Sequence, residues 1–482
     1  MISEIVSVIL KFVGGFFFVY LLLYASYLFL SVAVGAWRPY SYDKMRSVKN
    51  ELKHEFYFPV SILVPAHNEE VTILDNVDSL LKMRYRLYEI IVVDDGSTDG
   101  TAERLIEHYN MHEVSRPIRM ALKCKSLLGV YEAEDTRVRL TLIRKANGGK
   151  GDALNMGINA SQYPYFVCID ADSMLQYDSL ERIVQPVLED DGVVAVGGLV
   201  RVAQCIKMEG EKLTYHVPWN FLAGMQVMEY DRSFLASRIL MDSFNGNLII
   251  SGAFGLFKKD VVIACGGYAT DTLGEDMELV VKLHAFCRNN SQKYSIRYEP
   301  NAVCWSQAPS TLKDLAKQRR RWHLGMFQCL TRYRHLGGKS RYGSIGIFSY
   351  FYYTLYELYS PIIEVFGLLA TLTAGLTGML DWGFMLRFYL LFAVYGAILT
   401  ITAFFQRIYT QNLRISWQDV LRAMVMCLVE NLIFRFILDF VRFTAFLSYG
   451  KKKNQWGEIK RFRHSYSDAP VLRKKKKSPE KS

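Results

Sequence analysis

The first 36 residues constrain this chain more than any other stretch. Residues 5–36 form an apolar run broken by a single charge, Lys11. That is enough for a membrane helix, which needs about 20 residues, and backbone in lipid must pair with itself. The run carries no small-residue cleavage site, so it reads as an anchor and not as a removed leader. Arg38, Lys44, Arg46 and Lys49 follow it. Positive charge collects on the cytosolic side, which places the N-terminus outside and residue 38 onward in the cytosol. The remainder agrees, with 51% apolar residues in 482 and a net charge of +11. Basic clusters lie at Lys317 to Arg321, Arg332 to Arg341, Lys451 to Lys453 and Lys474 to Lys477. They read as flanks of membrane helices, or as attraction to phosphate-rich substrates and anionic lipid. The eight cysteines show no CxxC pair and no Cys/His ligand spacing. They read as reduced core residues on a cytosolic face.

Four parts follow: an anchor (1–37), a cytosolic α/β unit (55–335), C-terminal membrane and interfacial helices (345–448) and a basic cytosolic tail (449–482). In the third part, 362–380 and 388–405 each read as a span. The run 421–447 carries Glu430, Asn431, Arg435, Asp439 and Arg442. Ionisable groups at membrane depth face a cavity or the bundle interior; the other reading is an interfacial amphipathic helix. The Tyr- and Phe-rich segment 345–359 is expected along the interface. Three C-terminal crossings would leave the tail outside, although its charge wants it inside. Either 421–447 does not cross, or 345–359 does.

In the α/β unit, VSILVPA (60–66) and EIIVVDD (89–95) are β-branched runs of strand length, each followed by a helical pattern. Strands alternating with helices predict a parallel sheet covered on both faces, with ligands beyond the carboxyl ends of its strands. The polar residues sit there. PAHNEE (65–70) closes the first strand, with Ala66, Asn68 and Glu69. VVDDGSTDGT places Asp94 and Asp95 at the end of the second, where a helix N-cap and a ligand role are compatible. YFVCIDADSML (165–175) runs five apolar residues into Asp170 and Asp172. Carboxylates at i and i+2 of a regular strand share a face and suit a hard cation, Mg²⁺ or Mn²⁺, bound together with substrate phosphates.

KANGGKGDALNMG (145–157) is a glycine-rich loop opening a helix, a setting for anions. It has neither P-loop nor GxGxxG spacing. ISGAFGLFKKD (250–260) puts small residues, Gly252 among them, where a substrate could approach closely. GEDMEL (274–279) supplies Glu275 and Asp276, one of which could serve as general base for an alcohol nucleophile. QRRRW (318–322) sets three arginines beside a tryptophan; arginine clamps diphosphate and tryptophan stacks on sugar. The 101–140 stretch reads as helical, and its 121–135 part has no functional account.

The order of these motifs resembles that of the processive, membrane-embedded family 2 glycosyltransferases, the synthases of cellulose, hyaluronan, chitin and poly-N-acetylglucosamine. Their pattern is D, DxD, (T/G)ED and Q(Q/R)xRW. Here it reads Asp95, Asp170-Ala171-Asp172, Gly274-Glu275-Asp276 and Gln318 to Trp322. The resemblance implies a GT-A (Rossmann-like) α/β catalytic domain combined with transmembrane α-helices, in a bacterial plasma membrane. It implies that Asp95 holds the uridine of a UDP-sugar, with Ala66, Asn68, Glu69 and Lys150 around the nucleotide. Asp170 would contact the nucleotide or its sugar and join Asp172 in binding the metal. Asp276 would be the base, beside Glu275. Gln318, Arg321 and Trp322 would lie near the acceptor end and the diphosphate, with Gly252 against the acceptor. QWGEIKR (455–461) is similar to a gating loop, through Trp456 and Gly457. SGAFG departs from the pattern of cellulose synthases, which favours UDP-N-acetylglucosamine as donor, with UDP-glucose next. The implied partners are the UDP-sugar, a growing polysaccharide, membrane lipids and a small accessory membrane subunit, but no nucleic acid. Two rival readings remain: a transferase adding one sugar to a lipid, and a channel with a degenerate nucleotide-binding domain. QRRRW argues against the first and the intact acidic positions against the second.

Overall fold

The computed structural model describes residues 2–50, 58–209, 212–410 and 415–448. Among the described residues the strands are β1 Val60–Ala66, β2 Tyr88–Asp95, β3 Met111–Glu113, β4 Leu127–Ala133, β5 Leu140–Lys145, β6 Tyr165–Ile169, β7 Ser173–Leu175, β8 Val193–Val202, β9 Ile206–Glu209, β10 Lys212–Tyr215, β11 Phe254–Lys258 and β12 Ser295–Ser306. Ten form one sheet, ordered β3-β4-β5-β2-β1-β6-β11-β8-β12-β7. Strand residues alternate between two cores, as a period of two requires. Ile62 and Val64 of β1 join the core containing Val77 and Leu80. Leu63 points the other way, to Leu154 and Ile158 of the Lys150–Ala160 helix.

The sheet is mixed, which corrects the expectation of a parallel one. β5-β2-β1-β6 and β8-β12 pair in parallel, whereas β11 runs antiparallel between β6 and β8. The physical reason is the connection: a helical excursion, Phe221–Asp242, separates β8 from β11 and returns the chain at the end where β8 left the sheet, so β11 runs back along it. The 101–140 stretch is helical only over Thr101–His108. Its remainder supplies β3 and β4, which close one sheet edge by antiparallel pairing.

Two helices are long and apolar enough to cross a membrane among the described residues, Val8–Arg38 and Trp382–Tyr409. The expected span 362–380 is shorter: its helix is Ser360–Leu376, ended by Gly378 at φ +69°. Seventeen residues rise about 26 Å, less than the hydrocarbon core of about 30 Å. Only together with Ile345–Leu358, from which it bends by 50°, does it reach span length. The 421–447 run is part of Trp417–Val429 and Arg435–Ser448, joined by a π-helical turn at Glu430–Phe434. The Phe221–Arg232 helix packs on the Trp382–Thr410 and Trp417–Val429 helices, and the next turn, Ser233–Ser237, packs on the N-terminal helix. Through this excursion the sheet domain and the apolar helices share one interior.

Candidate active site

A cavity of about 1160 Å³ opens beyond the carboxyl ends of β1, β2 and β6. Its wall includes Ala66, Asn68, Glu69, Asp95, Lys150, Asp170, Asp172, Gly252, Glu275, Asp276, Gln318, Arg321 and Trp322. Every residue the resemblance assigns up to Trp322 therefore meets in one space, whereas Asp94 stays out of the wall and accepts from Ser97 N at 3.1 Å. Trp456, Gly457 and the 449–482 tail lie outside the described residues.

At one end Asn68 adopts a left-handed backbone, φ +56°, uncommon for a residue with a side chain. It is held there by its side-chain oxygen, which accepts from Thr98 N at 2.8 Å, and by its own N–H, which donates to Ser97 Oγ at 3.0 Å. Glu69 is buried and accepts from Thr72 Oγ1 at 2.7 Å. Asp95 ends β2 with both oxygens engaged. Gly148 N donates to Oδ1 at 3.0 Å, Gly149 N donates to Oδ2 at 2.7 Å, and the fully buried Lys145 pairs with Oδ1. Gly149 sits at φ +87°, a conformation that glycine adopts without strain and that lets two successive N–H groups face one carboxylate. Lys145 is shared with Asp152, 2.6 Å away on the helix that the loop opens. Sequence reasoning passed over Lys145 and Asp152. The one available signal was a lysine ending the short strand LTLIRK, where a buried charge demands a partner.

Asp170 and Asp172 do not extend from the strand. β6 stops at Ile169 and the pair lies in the turn before β7. Asn76 fixes this turn, donating to the carbonyls of Asp170 (3.2 Å) and Ser173 (2.5 Å). The Asp170 side chain is 32% exposed and accepts from Lys150 Nζ at 2.5 Å, while Asp172 is buried. Lys150 also lies 3.5 Å from Glu275 Oε1. Burial opposes its charge, but Asp170, Glu275 and Asp276 outweigh burial and hold its pKa above the ordinary lysine range. Burial pushes the Glu275 carboxyl up, against the pull of Lys150. Asp276, at the N-terminus of the Glu275–Asn289 helix, accepts from Gly252 N at 3.1 Å and Met277 N at 2.8 Å. Lys150 thus ties the two acidic motifs together, a role sequence alone did not assign.

The donor set defines what metal it suits. Among the described residues no three His, Cys, Asp or Glu side chains gather into a metal site. Two carboxylates in an open cavity match a Mg²⁺- or Mn²⁺-type ion that keeps substrate phosphates as its other ligands.

The Leu312–Arg332 helix carries QRRRW. Gln318, Arg321 and Trp322 face the cavity; Trp322 is 41% exposed. Gln318 Oε1 is buried with no hydrogen-bond partner among the described residues, an unmet acceptor in the wall. Arg319 instead forms two 2.7 Å bonds to Glu229 of the Phe221–Arg232 helix. Beyond this end the wall passes among the apolar helices and includes Tyr24, Tyr27, Tyr356 and Tyr395. Glu430, Arg435 and Asp439 line it too, as the cavity reading of the 421–447 charges requires. Their charges are matched: Arg232 pairs with Glu430 at 2.8 Å, Arg435 with Glu364 at 2.5 Å and Arg442 with Asp439 at 3.6 Å.

Comparison with known proteins fits this arrangement. The profile described as "Glycosyl transferase family 2" matches residues 61–263, and "Glycosyl transferase family group 2" matches residues 165–438, more than half of the chain. The chain is 30% identical over 292 residues to a poly-beta-1,6-N-acetyl-D-glucosamine synthase of Staphylococcus epidermidis, covering 60% of each protein. It is 29% identical over 319 residues to a synthase of the same description from Staphylococcus aureus (strain COL), covering 66% of this chain and 67% of that one. A mannosyltransferase of Pyrobaculum calidifontis, solved with GDP-Man and Mn²⁺, aligns at 19% identity with a TM-score of 0.49, over 86% of this chain and 99% of its own. With a GT-A mixed sheet, acidic motifs at its strand ends and a family match over more than half its length, this chain belongs to the family 2 glycosyltransferases.

Proposed function

We propose that the protein is a membrane-embedded, processive, inverting β-glycosyltransferase. It polymerises a UDP-sugar, UDP-N-acetylglucosamine before UDP-glucose, and passes the polymer out through its own helices. One observation carries this reading: a single cavity joins the strand-end carboxylates, the acceptor-side Trp322 and the interior of the apolar helices. A polymer growing at the site needs such a path onward, and a wall of tyrosines and paired charges suits sugar hydroxyls better than an acyl chain. The two Staphylococcus relatives support the choice of sugar.

In this reading the nucleotide occupies the end framed by Asn68, Glu69 and Asp95, whose geometry is preset by Lys145 and the Gly148–Gly149 amides. Asp170 and Asp172 would hold a divalent ion, which when bound would supply positive charge against the departing diphosphate. Lys150 keeps the neighbouring carboxylates from repelling one another and the donor. Asp276 takes the proton from the acceptor hydroxyl as that oxygen attacks the anomeric carbon from the side opposite UDP. Two backbone N–H bonds keep its carboxylate oriented. Trp322 stacks on the terminal acceptor sugar, and Gln318 Oε1 receives a sugar hydroxyl that meets its open acceptor capacity. The paired charges deeper in the wall offer hydrogen bonds to sugar hydroxyls without a net field. The membrane arrangement is multi-pass with the sheet domain in the cytosol, as the basic residues that follow the first apolar run favour.

The test is UDP release by detergent-purified protein with Mg²⁺ or Mn²⁺ across a panel of UDP-sugars, followed by gel analysis with labelled donor. One active donor with high-molecular-weight product is expected. A product one sugar long would replace processivity with transfer to a lipid or primer.

A further inference from the structure

The helix that carries Asp276 and the helix that carries QRRRW touch backbone to backbone. Their crossing falls at Gly274, which caps the Glu275–Asn289 helix, and Gly325, three residues after Trp322. A Cβ on Gly325 would lie 2.7 Å from Gly274 N and 2.8 Å from its Cα; one on Gly274 would lie 3.0 Å from Gly325 Cα. Neither position has room for a side chain, and what stands in the way is main chain, which cannot swing aside. Glycine inside a helix is otherwise unfavourable against alanine, so its presence at Gly325 marks the close approach.

One turn further, Gln328 sews the same two segments together. Its Oε1 accepts from Leu273 N at 2.9 Å and from Thr272 Oγ1 at 3.1 Å, and Thr272 Oγ1 accepts from Gly274 N at 3.3 Å. Farther along, Tyr333 OH donates to Glu278 at 2.8 Å. The three residues before Glu275 are thus held on the QRRRW helix by a glycine contact and a side-chain strap, while the site face of the same helices presents Asp276, Gln318 and Trp322.

We propose that Gly325 and Gln328 are positioning residues that register the base against the acceptor. The helix holding the acceptor sugar and the helix holding the base behave as one rigid part, so the attacking hydroxyl arrives within reach of Asp276 at each addition. This rests on the reading of Asp276 as the base. Widening the crossing by a methyl group displaces the start of the base helix by several tenths of an ångström. Displacement of about 1 Å at a reacting centre costs about 100-fold in rate.

The experiment uses the full-length protein in detergent with the donor most active in the panel above, comparing wild type, Gly325→Ala, Gln328→Leu, Gln328→Glu and Asp276→Asn. Gly325→Ala and Gln328→Leu are expected to lower kcat for transfer by about 10- to 100-fold. KM for the donor and the Kd for UDP stay within about twofold, because the nucleotide end is untouched. Gln328→Glu keeps the accepting oxygen and retains most activity. UDP released per sugar transferred rises in the two impaired variants, since water needs no registration by the acceptor helix; a merely structural defect would lower both together. Wild-type transfer by Gly325→Ala, or a loss of transfer that tracks a loss of UDP binding, overturns the proposal. Full transfer by Asp276→Asn would instead bring down the base reading beneath it, and the proposal with it.

Discussion

The Arg319–Glu229 pair gives the sharpest test of how QRRRW is divided between chemistry and structure. Read from sequence, any arginine of the motif is a candidate diphosphate clamp. In the fold, Arg319 is 4% exposed and spends its guanidinium on a two-bond contact with Glu229, whose side chain is 16% exposed. Arg319→Met keeps the volume and removes the charge. Breaking a buried pair by deleting one partner costs about 3–5 kcal/mol, mostly because the remaining charge is stranded. Arg442, 3.9 Å from Glu229, offsets part of that, so the lower end, about 3 kcal/mol, is expected. At about 2–4 °C per kcal/mol for a domain of this size, the melting temperature in detergent falls by about 6–12 °C. Glu229→Gln combined with Arg319→Met removes both charges and recovers most of the loss. UDP binding, measured by calorimetry below the melting range, stays near wild type in both. If Arg319→Met abolishes UDP binding while leaving the melting temperature unchanged, and Glu229→Gln brings no recovery, Arg319 is a ligand-binding arginine and the structural assignment is wrong.

Three further outcomes follow from the site. Lys145→Met strands Asp95 and Asp152 inside the fold and is expected to abolish UDP binding by calorimetry, whereas Asp152→Asn, which leaves Lys145 paired with Asp95, weakens it only several-fold. Asp172→Ala is expected to make UDP binding insensitive to Mg²⁺, Mn²⁺ and EDTA; wild-type binding that is the same with and without EDTA would remove the metal from the mechanism. His284 is buried against Tyr294 OH and the Asn247 carbonyl, and burial pulls its pKa down to about 4. The unfolded chain takes up this proton near pH 6.5 and the folded one only near 4, so stability is full above 6.5 and declines by about 1.4 kcal/mol per unit as pH falls through that window. Melts from pH 7 to 5 should show this loss in wild type and a smaller one in His284→Gln.

What the sequence disclosed and what it hid divide along a physical line. Asp95, Asp170 and Asp172 were legible because each follows an apolar run that must be a buried strand, and a carboxylate there needs a purpose. The sheet's mixed direction was not, because local pattern reports that a segment is a strand and says nothing of which way its neighbour runs. β4 was missed for a related reason: LLGVYEA alternates poorly, being only half-covered next to the short edge strand β3, and its pairing with β5 is tertiary. Buried ion pairs were hidden most completely. Glu229 and Arg319 look in sequence like ordinary surface charges, since each lies 90 residues from the partner that makes it tolerable, and Asp95 lies 50 residues before its partner Lys145. The 421–447 helix shows the same limit from the other side. Its five polar residues blurred the hydropathy that would have marked a span, yet Glu430 and Asp439 are buried and Arg435 reaches Glu364 across the bundle. Charges placed in an apolar helix are costly unless they meet partners or a polar space, and here they meet both, along the wall of the cavity that starts at the strand-end carboxylates. The residues that made this segment hard to classify are therefore the ones that make its inner face wettable, which the proposed sugar path needs and a simple anchor does not.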